Sequence, residues 1–356
     1  VIRQDIDMLK TFPFFYTILD ESQVIKNPDS KTSQSVKLLI SEYRLSLTGT
    51  PIENTIVDIW SQMDFLNPGL LGDGNFFKKF YVTPIEKEKS AKHAAKLRKI
   101  IFPYLLRRKK HQVAKDLPPK IENIHFCEMD EAQKELYEKT RDLYRSYLMD
   151  LMAEGTLKKH KLNVLAGLQK LRQIAIHPQM IEEGKEVLDS GKYAEVKRLL
   201  KEIIAKRSKV LIFSQFVKML QIFKADLEKE GISFCYLDGS TKNRQELVEK
   251  FQREKDIKVF LISLKAGGVG LNLTAADYVF ILDPWWNPAV EQQAIDRTHR
   301  IGQLKTVFYY KFISQGSIEE KIMKLQASKQ RLSDDLISDE AFFESLNDAE
   351  LKDLLE

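Results

Sequence analysis

Between Lys209 and Pro284 the chain presents four short apolar, β-branched runs: "KVLIFSQF" (209–216), "SFCYLDGS" (233–240), "VFLISLKA" (259–266) and "YVFILDP" (278–284). Helical patterns separate them, among them "VKMLQIFKADLEKEG" (217–231) and "NRQELVEKFQRE" (243–254). A strand that faces water on one side alternates apolar and polar residues. These runs do not, so both of their faces must be covered, as in a parallel sheet wrapped by helices. A further strand is expected at "TVFYYKFI" (306–313), and two more near the start at "FYTILDE" (15–21) and "YRLSLTGTP" (43–51). The fold class is α/β.

The middle of the chain differs. Residues 54–120 and 130–177 read mainly as helices, interrupted by Pro118-Pro119 and the strand-like "NIHFCEM" (123–129). "GSIEEKIMKLQ" opens a C-terminal helix in which Ser317 and Glu320 have capping-box spacing. The resulting layout is α/β, then helical, then α/β, then an acidic tail.

A chain of 356 residues suggests two or three domains. Cys127 and Cys235 lie far apart in strand-like runs, which excludes a disulfide framework or a CxxC zinc site and suits a reducing, cytoplasmic setting. No apolar run approaches the roughly 18 residues of a membrane span, so no membrane partner is expected. The start, "VIRQDIDMLKTFPFF", lacks a signal-peptide pattern and a leading Met, so a longer parent polypeptide is expected.

Net charge is only +5, but it is unevenly spread. Residues 96–120 hold nine Lys/Arg and one acid, whereas residues 334–356 hold nine acids and one base. Without that tail, residues 1–333 carry 55 basic and 42 acidic groups, a +13 balance that suits a polyanion.

In open parallel sheets, ligands gather beyond the carboxyl ends of the strands. Asp20-Glu21 follows "FYTIL"; the first carboxylate of such a pair can hold hydrated Mg²⁺ and the second can orient or activate water. "SLTGTP" (46–51) is a second polar strand end, and "LKAGGVGLNL" (264–273) a glycine-rich turn whose amides suit phosphate. "DPWWNPAVEQQ" (283–293) places two tryptophans at a strand end, then Asn287 as helix cap and Pro288 at the first helical position. Arg297 and Arg300 follow in "EQQAIDRTHRIGQ" (291–303); on a helix, their spacing puts both guanidinium groups on one face. In isolation these features read as turns, packing anchors and a salt-bridged helix face. Their order along the chain is more informative.

The series "LDESQ", "LSLTGTPIEN", "VLIFSQF", "LDGST", "LISLKAGGVGLNLTAADYVFILDPWWNP" and "EQQAIDRTHRIGQ" resembles the ordered motifs of the SWI/SNF family. That family comprises ATP-dependent double-stranded-DNA translocases of helicase superfamily two, and the Trp-Trp pair with compact insertions resembles its bacterial members. Supporting resemblances are "IKNPDSK" (25–31), "YLLRRKKHQVAKDLPPK" (104–120), "LQKLRQIAIHP" (168–178) and "SGK" (190–192).

The resemblance implies RecA-like helicase lobes with helical insertions, the second lobe complete and the first partial. The first lobe and its protrusion would occupy 1–120; a strand, linker and second protrusion 121–187; the second lobe 188–325; the acidic tail 326–356. ATP and Mg²⁺ would be the cofactors and double-stranded DNA the partner. The upstream part of the same polypeptide and proteins on DNA would be further partners, and a bacterial member would associate with the nucleoid.

It also implies residue roles. Asp20 and Glu21 would hold Mg²⁺ and activate water; Thr48, Gly49 and Thr50 would couple nucleotide state to motion. Gln293, Arg297 and Arg300 would face ATP, the arginines as fingers. Ser214, Gln215, Ser263, Lys265, Gly267 and Gly268 would contact DNA, with Trp286 coupling that contact to hydrolysis. The stretch around Arg107, Arg108, Lys109 and Lys110 would belong to the first protrusion and linker.

The resemblance has one large departure: no G-K-[ST] occurs, since Gly184-Lys185 is followed by Glu186 and Gly191-Lys192 by Tyr193. The chain is therefore expected to be truncated ahead of its first motif, to hydrolyse ATP only as part of the intact protein, and to leave an apolar sheet face exposed in the first lobe. Two alternatives remain open: a non-enzymatic, sequence-independent DNA-binding module, and a superfamily-two RNA helicase.

Overall fold

The computed structural model of the chain describes residues 2–49, 56–88, 90–106, 108, 110–181, 189–267, 271–286, 288–330 and 348–355. Contacts divide it into two units, one over 1–109 and the other over 110–331 with 342–356.

The first unit contains α1 (Ile2–Leu9), β1 (Phe14–Leu19), α2 (Lys31–Lys37), β2 (Ser41–Ser46), α3 (Ile56–Leu66), α4 (Gly74–Phe77) and α5 (Ala91–Ile101). Strands β1 and β2 pair in parallel from Phe14↔Ser41 to Leu19↔Ser46. Ile25, Val36 and Phe65 form a small core beside them, and Met63, Leu71, Phe77, Tyr81 and Leu97 form another among the helices. Residues Lys78–Lys87 wind as a π-helix. Pro84 inside it offers no N–H, and Glu88 N–H reaches back five residues to Thr83 O. The apolar face expected from a partial sheet is present. Phe15, Tyr16, Ile18, Tyr43 and Leu45 are exposed, and the Tyr16 and Tyr43 rings stack on each other 5.0 Å apart.

The second unit contains α6 (Lys110–Val113), β3 (Lys120–Cys127), α7 (Glu131–Ala153), α8 (Leu157–Ile176), α9 (Gly191–Ala205), β4 (Val210–Ser214), α10 (Val217–Lys229), β5 (Phe234–Leu237), α11 (Arg244–Arg253), β6 (Val259–Ser263), α12 (Leu264–Gly267), β7 (Tyr278–Ile281), α13 (Pro288–Ile295), β8 (Val307–Ser314) and α14 (Ile318–Gln330). Six parallel strands lie in the order β3-β8-β7-β4-β6-β5. Every residue of β4 and β6 is buried, as their unbroken apolar runs require. Alternate residues feed opposite cores: Val210, Ile212, Val259 and Leu261 on one face, Leu211, Phe213, Phe260 and Ile262 on the other.

Two boundaries differ from the expected ones. The units part at 109/110 rather than 120/121, because β3 pairs with β8 over eight residues, from Lys120↔Val307 to Cys127↔Ser314, and so belongs to the second sheet. Helix α14 runs across the expected start of the tail at 326. The last helix, Asp348–Leu355, buries Leu351, Leu354 and Leu355 and packs on α7 and α14; residues 331–347 lie outside the described residues. The expected capping box is displaced by one residue: Ser317 Oγ accepts from Glu319 N–H at 3.2 Å, and Glu320 Oε1 accepts from Gly316 N–H at 3.2 Å.

Helices α7 and α8 form a hairpin locked onto the sheet through buried polar groups. Gln133 Nε2 donates to Ile174 O at 2.8 Å, Ser314 Oγ to Ala175 O at 2.6 Å, and Ser190 Oγ to Ile176 O at 2.6 Å. Two glycines permit this closeness. A Cβ at Gly191 would overlap the Glu128 carbonyl oxygen, and one at Gly167 would overlap the Tyr144 ring. Gly191→Ala is expected to destabilise the second unit by about 3 kcal/mol, and Gly167→Ala by about 1 kcal/mol because a ring can turn aside where a carbonyl cannot. Urea midpoints followed by tryptophan fluorescence measure both, and an unshifted Gly191→Ala midpoint would refute the packing argument.

Candidate functional site

In the first unit, β1 ends at Leu19 and the chain turns sharply at Asp20-Glu21. Glu21 adopts φ 51°, ψ 51°, a left-handed conformation that costs a non-glycine residue about 1–2 kcal/mol. Its neighbours hold it there. Asp20 Oδ1 accepts from Glu21 N–H at 2.9 Å, and Ser22 N–H donates to Leu47 O at 2.9 Å. Gln23 Nε2 donates to Glu21 Oε2 at 2.8 Å, while Thr48 Oγ1 donates to Gln23 Oε1 at 2.8 Å. One glutamine thus joins the carboxylate at the end of β1 to the threonine beyond β2. No function was assigned to Gln23 from the sequence, although it closes the "LDESQ" motif. Gly49 has open space around its α-carbon; Thr50 lies outside the described residues.

Mg²⁺ keeps most of its waters and needs only one or two protein carboxylates. The exposed Asp20 side chain, with one oxygen fixed by Glu21 N–H, fits that modest demand. No cluster of three or more His, Cys, Asp or Glu side chains suited to a metal occurs among the described residues, so the protein supplies no closed cage there.

In the second unit, Arg297 and Arg300 do not share a helix face. Helix α13 stops at Ile295, and both arginines lie in the turn beyond it. Local competition ends the helix: Thr298 Oγ1 donates to Ile295 O at 2.7 Å, and Leu273 N–H takes Arg297 O at 3.0 Å. Lys110 and Lys120 hold Asp296 at 3.0 and 3.4 Å, and His299 Nε2 donates to Pro118 O at 2.7 Å. Gln303, buried, pins the turn by donating to Ala276 O at 2.9 Å and Thr274 O at 3.1 Å. Arg297 is 2% exposed, whereas Gln293 and Arg300 are half-buried.

Strand β4 lies between β6 and β7, and the chain leaves it first toward β5 and β6, then toward β7 and β8. This is the topological switch point at which open α/β sheets bind ligands. Ser214 and Ser263 face each other in register there, and Gln215, Asp283 and Trp286 follow the ends of β4 and β7. The expected DNA contacts therefore converge, but not all reach the surface. Ser214, Ser263 and Trp286 are buried, and Ser214 Oγ accepts from Phe216 N–H at 3.0 Å, shaping the turn; Gln215 is half-buried. Gly267 closes α12 directly after β6. The Lys265 side chain, Gly268, Asn287, Arg107 and Lys109 lie outside the described residues.

Behind this edge runs a layer of buried charge. Lys192 Nζ donates to Glu319 Oε2 at 2.5 Å and to Leu282 O at 3.2 Å, with both side chains buried. Glu291 accepts from Trp285 N–H at 2.6 Å and pairs with Lys311 at 3.1 Å. Burial pushes the carboxyls of Asp283, Glu291 and Glu319 up, opposed respectively by Arg172, Lys311 and Lys192. No role follows from the sequence for any of these charged residues, although Lys192 lies within "SGK", Arg172 within "LQKLRQIAIHP", Glu291 at the head of "EQQAIDRTHRIGQ" and Lys311 within "TVFYYKFI". No helix among the described residues is long and apolar enough to cross a membrane.

Comparisons with known proteins follow the two halves. The SNF2-related domain matches residues 1–180, and the helicase conserved C-terminal domain matches residues 191–302. An uncharacterized ATP-dependent helicase of Mycoplasma pneumoniae is 39% identical over 359 residues, covering 100% of this chain and 34% of the relative. The DNA repair and recombination protein RAD26 of Saccharomyces cerevisiae is 36% identical, covering 95% of this chain and 33% of its own length. The chain thus spans about a third of these curated relatives. Among solved structures, the Sulfolobus solfataricus SWI2/SNF2 ATPase core in complex with dsDNA is similar at TM-score 0.56 and 38% identity, covering 99% of this chain and 75% of that one.

Proposed function

The chain belongs to the SNF2-related family, and from that premise we propose that it forms part of an ATP-driven motor that moves on duplex DNA. The observation that carries this reading is the Thr48–Gln23–Glu21 chain of hydrogen bonds. It ties a strained acid at one strand end to the turn after the next, so a displacement of either is felt by the other.

In this reading, Glu21 accepts a proton from the water whose oxygen attacks the γ-phosphorus of ATP, while the bond to the ADP oxygen breaks. Arg297 and Arg300 supply positive charge where the phosphoryl oxygens gain negative charge. Asp20 would hold Mg²⁺, which would supply positive charge against the phosphates. Gln215 and the backbone beyond β6 meet the DNA backbone, with Ser214 and Ser263 holding the strand ends that present them.

The test is ATP hydrolysis by the full-length protein with and without duplex DNA. Duplex DNA is expected to raise the rate and to drive displacement of a bound protein without strand separation. A rate indifferent to duplex DNA would refute the reading, and strand separation would favour an RNA-helicase-like unwinding activity instead. The 356-residue chain by itself, lacking G-K-[ST], is expected to bind duplex DNA without measurable turnover. Its affinity should fall with salt, log K decreasing about 0.9 per phosphate contact for each tenfold rise in salt, with little sequence preference. Affinity insensitive to salt would argue against backbone contacts.

A further inference from the structure

Arg172 sits on α8 within the helical hairpin, yet its guanidinium lies at the switch point of the sheet. It is 1% exposed. Nη1 donates to Gln215 Oε1 at 3.2 Å, beyond β4, and Nη2 donates to Pro284 O at 2.7 Å, beyond β7. The guanidinium carbon stacks 4.9 Å from the Trp286 ring centroid and 5.6 Å from that of Phe216. Asp283, 0% exposed, accepts from Gln215 N–H at 3.1 Å and lies within the electrostatic reach of Arg172. One side chain therefore touches both loops that flank the central strand.

Burying a guanidinium is costly, and a whole buried ion pair can often be exchanged for apolar residues of similar volume without loss of stability. The acceptors it has found are informative. They come from the residues just past the strand ends, rather than from the strands. Arginine has donors only, so it also dictates which end of the Gln215 amide faces it: the oxygen. Its flat cation against the Trp286 face fixes the plane of that ring.

We propose that Arg172 is a positioning residue for DNA-dependent hydrolysis: it locks the Gln215 amide and the Trp286 ring into one arrangement and ties both to the helical hairpin. The inference rests on the reading that Gln215 and Trp286 serve a duplex-DNA motor. Arg172 itself touches neither DNA nor nucleotide in this role; it acts through Gln215 and Trp286.

The test uses the full-length protein carrying Arg172→Met, Arg172→Lys, Gln215→Ala and the Arg172→Met/Gln215→Ala pair. Thermal midpoint, hydrolysis without DNA, maximal hydrolysis with DNA, and the DNA concentration giving half-maximal stimulation are measured for each. Arg172→Met fills a similar volume but withdraws the cation that opposes the buried Asp283 carboxyl, so its midpoint is expected to fall by several degrees. The DNA-free rate, measured well below that midpoint, should stay close to that of the parent. Its DNA-stimulated rate is expected to fall about tenfold, the worth of one hydrogen bond to a charged group. Lys should not rescue it, because a point charge supplies neither the fork nor the flat stack. With Gln215 already Ala, Arg172→Met should cost less than it does alone, about threefold, since one of the two partners through which it acts is gone.

Full stimulation in Arg172→Met, rescue by Lys, or independent multiplying losses in the double variant would overturn the inference. So would a loss of DNA-free hydrolysis as large as the loss of stimulated hydrolysis in both single Arg172 variants, which would make Arg172 a packing residue. A parent protein whose hydrolysis ignores DNA would instead refute the motor reading, and this inference with it. A stimulated parent with an unaffected Arg172→Met would refute only the role of Arg172.

Discussion

Glu21→Gln in the full-length protein is expected to reduce DNA-stimulated ATP hydrolysis by about 10²–10⁴-fold, the usual contribution of a positioned general base. The substitution is nearly isosteric and keeps the strained turn, because Glu21 N–H still donates to Asp20 Oδ1. An amide oxygen can still accept from Gln23, so the link to Thr48 survives as well. Only the ability to take a proton from water is removed. ATP affinity, followed with a fluorescent analogue, should therefore remain within about threefold while kcat collapses, the signature of an interaction confined to the transition state. A variant with undiminished kcat would remove Glu21 from the chemistry and leave the Thr48–Gln23–Glu21 chain a purely structural tie.

Arg297→Ala should have the other large effect, a loss of about 10³–10⁵ in kcat if its guanidinium neutralises the transferring phosphoryl group. Its 2% exposure raises a second explanation, since truncating a buried arginine also harms packing. Arg297→Lys separates the two. A packing role tolerates lysine, whose stem fills much of the same space, whereas the forked double contact to phosphate does not. A finger role therefore predicts a thermal midpoint near that of the parent and a rate nearly as low as that of the alanine variant. A lysine variant that keeps its activity would assign Arg297 to the turn that Gln303 pins. Arg300, half-buried two residues past the Thr298 bond, is the better exposed of the two arginines.

The strands of the second unit were legible because each is buried on both faces, which leaves a run of apolar residues with no polar break. The same property made their carboxyl ends legible as sites, since polar residues reappear at Ser214, Ser263 and Asp283. The helix face of Arg297 and Arg300 was not, because spacing alone cannot register that Asp296, His299 and Arg297 O have partners elsewhere in the chain. For the same reason β3 resembled an isolated strand beside a helical segment. Its place in the sheet depends on β8, which no local pattern near residue 120 encodes. Trp286 illustrates a third limit: an aromatic residue at a strand end is equally compatible with a stacking surface and with the underside of Arg172, and only the packing distinguishes them.

Pairing β3 with β8 also bears on how the protein is made. Lys120 and Val307 are 187 positions apart, so β3 leaves the ribosome long before its partner exists. Until then Ile121, Ile124 and Phe126 belong to an unpaired strand with one edge open on each side. Closing so distant a contact is slow, and the species that waits is prone to pair with another chain. For the second unit, the synthesis of residues 307–314 is the moment at which a sticky edge becomes a finished sheet.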